Sequence, residues 1–86
     1  MPLEIKFSSE ALKYTKNLDR PTKERIAEKL GKIAKDPFNL NLSILLKGDT
    51  NKRRARLGDY RLILFITAEV LLVTHVAPRG QVYKDL

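Results

Sequence analysis

The 86-residue chain has the length of one small domain, and its 43% hydrophobic and 31% charged residues describe a folding sequence rather than a disordered one. No cysteine is present, which excludes disulfides and thiolate metal sites, and a single histidine, His75, argues against a His-based metal centre or a Ser-His-Asp triad. Seventeen Lys and Arg against ten Asp and Glu leave a net charge of +7. Met1 to Phe7 (MPLEIKF) has no apolar core of a secretory signal. Leu62 to Val76, the most apolar stretch, is broken by Glu69 and falls short of the ~20 residues a spanning helix needs. A cytoplasmic location with no membrane or metal partner is expected.

Leu3 to Phe7 alternates apolar and charged residues, the period of a half-buried strand. Ser8 or Ser9 then offers an oxygen to cap a helix in which Ala11, Tyr14, Thr15 and Leu18 recur at helical spacing. Asp19-Arg20-Pro21 breaks that run, and Pro21 fits the first turn of a second helix because its missing N–H would have no partner there. Ile26, Leu30 and Ile33 form the apolar stripe of this helix, which Asp36-Pro37 ends. Residues 36–51 are long for a plain connection, and their apolar residues predict some local structure without identifying it.

Arg53–Leu57, Tyr60–Thr67 and Val70–Ala77 read as strands, with Gly58-Asp59 and Ala68-Glu69 as turns. The prediction is a single α+β domain over residues 1–86: an N-terminal strand, a helical hairpin and an antiparallel three-stranded meander, with the helices on one sheet face.

The charge is concentrated in this meander. Residues 1–46 carry net +3, residues 62–86 carry none, and the fifteen positions 47–61 carry net +4. A two-residue Gly58-Asp59 loop sets Leu57 opposite Tyr60, Arg56 opposite Arg61, Ala55 opposite Leu62 and Arg54 opposite Ile63. Alternation then places Ala55, Leu57, Tyr60, Leu62, Leu64 and Ile66 on a core face, and Lys52, Arg54, Arg56 and Arg61 on the other. Like charges directly opposite cost about a few tenths to 1 kcal/mol. A phosphate between the guanidinium groups reverses that sign, because arginine matches its oxygens bidentately. Salt-screened, solvent-facing arginines are the plainer alternative. Ile63 and Phe65 are apolar residues on this cationic face. His75, mid-strand, reads as structural, and Ser8, Ser9 and Thr74 have no paired base that would make them nucleophiles.

Arg54-Ala55-Arg56-Leu57-Gly58-Asp59-Tyr60-Arg61, with Leu46-Lys47-Gly48 before it and Arg79 and Tyr83 after it, resembles the RelE/ParE superfamily of toxins from type II toxin–antitoxin modules, nearest to the archaeal RelE branch. That resemblance implies a ribosome-dependent mRNA endoribonuclease that inhibits translation and is held inactive by a RelB-like antitoxin. Carried over by motif, catalytic roles fall on Lys52, Arg54, Arg61, Arg79 and Tyr83, and RNA binding on Arg53, Arg56, Lys47 and Lys84. Metal-independent cleavage through the 2′-hydroxyl needs a base, cations for the phosphate and an acid for the leaving oxygen. Arginine stays protonated, so Lys52 among cations is the candidate base. With no histidine or carboxylate expected in the cluster, positioning by the ribosome carries much of the rate. A ParE-like DNA gyrase inhibitor and a non-catalytic nucleic-acid-binding module are the competing readings.

Overall fold

The computed structural model describes residues 2–46 and 51–78. The elements run β1 (Glu4–Phe7), α1 (Ser9–Lys16), α2 (Arg20–Lys35), β2 (Ile44–Leu45), β3 (Lys52–Leu57), β4 (Tyr60–Ile66) and β5 (Val70–Pro78). Among the described residues the strands form one five-stranded sheet in the order β1-β5-β4-β3-β2. β1 lies parallel to β5, and every other pairing is antiparallel. This is the predicted α+β arrangement, extended by the short strand β2.

Local chemistry sets the helix boundaries. Ser8 caps α1, its hydroxyl accepting the Ala11 amide at 3.1 Å, so Ser8 rather than Ser9 is the cap. Asp19 caps α2 by accepting the Thr22 amide at 3.2 Å and the Thr22 hydroxyl at 2.6 Å, with Pro21 in the first turn. The stripe of Ile26, Leu30 and Ile33 with Ala34 packs with Ala11 of α1 against Ala55, Leu62, Leu64, Leu71, Val73 and Val76 of the sheet. One sheet face is therefore the core packed against the helices, and the other carries the charged rows, with Ile63 fully buried among them.

The segment left undefined between α2 and β3 has short turns followed by β2. Asn39 accepts the Asn41 amide at 2.8 Å, forming a local turn. Ile44 and Leu45 then pair with Arg54 and Arg53. Ser43, just before β2, is buried and holds the Arg53 side chain. The β3–β4 hairpin turns at Gly58, whose φ of +58° suits the first central position of a tight hairpin turn with glycine there. A side-chain carbon at this position would meet the Arg25 guanidinium at 3.3 Å, so α2 also approaches the turn closely.

Candidate functional site

The predicted register holds at all four positions: Arg54 pairs with Ile63, Ala55 with Leu62, Arg56 with Arg61 and Leu57 with Tyr60. Extending these pairs across β5 gives three rows on the face opposite the helix-packed core. They are Lys52–Phe65–Leu72, Arg54–Ile63–His75 and Arg56–Arg61–Ala77. Neighbouring strands lie about 4.8 Å apart, so four cations from two strands share one small patch.

Their environments differ. Arg61 is only 8% exposed, and its Nη1 donates to the carbonyls of Gly58 and Tyr60 at 3.1 and 2.9 Å. The guanidinium is thereby fastened against the turn, with Nε–H and the two Nη2–H groups beyond that anchor. Arg56, opposite it, is exposed. Among the described residues the ion pairs are Arg20–Glu24, Lys32–Glu28 and His75–Glu10, so neither Arg56 nor Arg61 meets a carboxylate. A largely desolvated cation with no counter-charge among the described residues favours an anion beside it.

Arg53 corrects the sequence expectation. It was expected to bind RNA with its neighbours, yet it is 4% exposed and lies on the opposite side of β3. Its Nε donates to the Ser43 hydroxyl at 2.8 Å, its Nη2 donates to the Ser43 carbonyl at 3.0 Å, and Phe38 lies under its guanidinium at 5.8 Å. The two-residue period itself assigns position 53 to the face of Ala55. Lys47, Arg79, Tyr83 and Lys84 lie outside the described residues. Lys52 and Arg54 keep their expected face, and both have interaction partners.

The helices bring further charges that no local motif announces. Lys29 of α2 lines a cleft of about 230 Å³ with Arg54 and Arg56, beside Asn41 and Ser43. Arg25 reaches the hairpin turn. Their spacing in α2 is that of ordinary surface residues, so only the packing of α2 beside β3 reveals them. On the core side of the hairpin, burial first and the neighbouring Tyr60 second raise the Tyr14 phenol above its ordinary 10.0. That phenol stays protonated at neutral pH and is a donor rather than a base.

No protein-family model and no curated protein matches this sequence. Solved structures do. The archaeal RelE–RelB complex of Pyrococcus horikoshii is 25% identical, with 94% of this chain and 99% of that chain covered and a TM-score of 0.77. The isolated RelE toxin of E. coli is also 25% identical, with 96% and 93% covered and a TM-score of 0.78. The toxin–antitoxin complex RelBE2 of Mycobacterium tuberculosis is 20% identical, with 92% and 100% covered and a TM-score of 0.78. The chain has the fold of the RelE toxins. The likeness spans nearly the whole of each chain, so the Arg-rich hairpin sits within a complete RelE fold and not on a borrowed fragment.

One neighbour of this patch has no signal in the sequence pattern. His75, the chain's single histidine, ends the Arg54–Ile63–His75 row with its Nε2 3.7 Å from Glu10 Oε2. Uninterrupted alternation from Leu71 and Val73 hides this placement, because it would send position 75 into the core.

Proposed function

We propose that the protein is the toxin of a toxin–antitoxin module, acting as a metal-independent, ribosome-dependent mRNA endoribonuclease in the cytoplasm. The observation that carries this reading is the direct pairing of Arg56 with Arg61, the latter nearly buried and without a carboxylate among the described residues. A structural sheet gains nothing from that juxtaposition. A phosphodiester bound there screens the two cations from each other and accepts hydrogen bonds from both.

In the proposed reaction the 2′-hydroxyl attacks the adjacent phosphorus, and charge builds on the non-bridging oxygens. Arg61, held rigidly by the turn, and Arg56 stabilise that charge without having to reorganise. Arg54 and Lys52 hold the RNA backbone along the strand. The superfamily likeness extends these roles to Arg79 as a second phosphate clamp and to Tyr83 as a base-stacking or proton-donating group. Restraint comes from a RelB-like antitoxin, a partner supported by the complexes in which related folds were solved.

Purified protein added to translating ribosomes should cleave mRNA, and Arg61→Ala combined with Arg79→Ala should abolish cleavage. Intact mRNA with folded wild-type protein overturns the nuclease reading. DNA damage on expression, with translation continuing, would instead place the protein with the gyrase inhibitors.

A further inference from the structure

We propose that His75 is the proton-transfer group of this cationic face, with Thr74 and Glu10 as its positioning residues. The inference rests on the nuclease reading and names the side chain that accepts the 2′-hydroxyl proton, a role that sequence reasoning gave to Lys52.

A β-bulge brings His75 to the face. On β5, Leu71 and Val73 point into the helix-covered core. Leu64 pairs with Val73 and Ile63 with His75, so Thr74 is an extra residue with no partner in the ladder. That insertion moves His75 to the face of Arg54 and Arg61, and Val76 returns to the core. Bulges occur often where a side chain must be re-aimed beside a functional site. Because Arg61 pairs with Ala77, His75 is its diagonal neighbour on one face. Such neighbours are about 7–8 Å apart, within reach of long side chains. Lys52 lies two rows from Arg61, opposite Phe65.

The bulge also fixes the ring. Thr74 Oγ1 donates its proton to the Ile63 carbonyl at 3.1 Å, and His75 Nδ1 lies 3.1 Å from the same oxygen. With its one proton committed, that oxygen can only accept, so Nδ1 carries the ring hydrogen of the neutral imidazole. Nε2 is then the lone-pair nitrogen. The side chain of His75 is 25% exposed, and the Glu10 carboxylate lies 3.7 Å from Nε2, too far for a hydrogen bond but beside the nitrogen that takes the proton. Among the described residues, the charged groups on the ring's side are Glu10 from α1, Arg61 from β4 and Arg54 from β3, with Lys6 of β1 in register with Leu72.

In the resulting step the 2′ oxygen bonds to phosphorus as its proton passes to Nε2. The bond from phosphorus to the 5′ oxygen breaks, and that oxygen takes a proton from water. The products are a 2′,3′-cyclic phosphate and a 5′-hydroxyl, and the imidazolium returns its proton to solvent.

Single-turnover cleavage on translating ribosomes, followed across pH 5–8 with ribosome binding measured in parallel, tests the assignment. His75→Gln should slow cleavage by about 100-fold or more, the scale of a lost general base. It should also change the shape of the pH–rate profile, with binding changed less than about 3-fold. Imidazole nitrogen NMR should show Nδ1 protonated in the neutral wild-type ring and a mixture in Thr74→Val. Wild-type rate and pH profile in His75→Gln, or a loss matched by lost binding, overturns the His75 role alone. Absence of cleavage by the wild type overturns the nuclease reading and the His75 role with it.

Discussion

Arg53 and Arg56 are three residues apart on β3, and the sheet gives them opposite tasks. Arg53 satisfies the buried hydroxyl and carbonyl of Ser43, so removing it strands polar groups away from water. Hydrogen bonds from a charged donor contribute about 1.5–3 kcal/mol each, and Arg53→Ala should cost roughly 2–4 kcal/mol in urea unfolding. Arg56 faces solvent opposite another cation, so Arg56→Ala should move stability by no more than about 0.5 kcal/mol, toward greater stability, while weakening RNA binding. Equal stability losses in the two variants would contradict the division of faces. The sequence carries this division, because period 2 separates 53 from 54 and 56. Composition obscures it, since three arginines within four positions look like one patch.

At the scale of elements, a serine cap for α1, the Pro21 start of α2 and the Gly58 hairpin were legible because each rests on contacts within a few residues. The bulge at Thr74, the strand β2 and the parallel pairing of β1 with β5 were not, because long-range partners decide them. Ile44 and Leu45 are both exposed and show no alternation, so their strand exists only through its ladder with β3. The α2 cap can be tested by acid. The Thr22 side chain first, and its amide second, hold the Asp19 carboxyl below its ordinary 3.8. A lowered value in the folded state means that the stabilisation is complete above 3.8 and is lost as pH falls through the folded value. Asp19→Asn retains a capping oxygen without the titration, so its melting temperature should fall less steeply than wild type below that pH. Asp19→Ala should melt lower than wild type at neutral pH as well. Identical acid limbs in wild type and Asp19→Asn would show that the carboxylate contributes nothing to the acid sensitivity.

For the whole molecule, the fold sets the helices and most of the cationic patch on opposite sides of one sheet. Both helices pack on one sheet face, and the other carries Lys52, Arg54, Arg56 and Arg61 within the segment that holds net +4 of the chain's +7. No described helix is long and apolar enough to cross a membrane. Cations that contact phosphates displace counterions, and the affinity for single-stranded RNA falls with salt by a logarithmic slope of about 0.7 per contacted phosphate. Lys23 is exposed on α2 in the groove it lines with Ile5, Phe7 and Leu12, on the helix-covered side, and serves as a charge-matched control. Titrations of a single-stranded RNA over a range of salt should show Arg56→Ala flattening the slope by about 0.7, with Lys23→Ala leaving it unchanged. If both variants flatten it equally, the RNA senses only the net charge of the molecule, and the paired arginines have no privileged role. A flattening confined to Arg56→Ala locates the polyanion on the hairpin face, where the diagonal approach of His75 to Arg61 becomes relevant to chemistry.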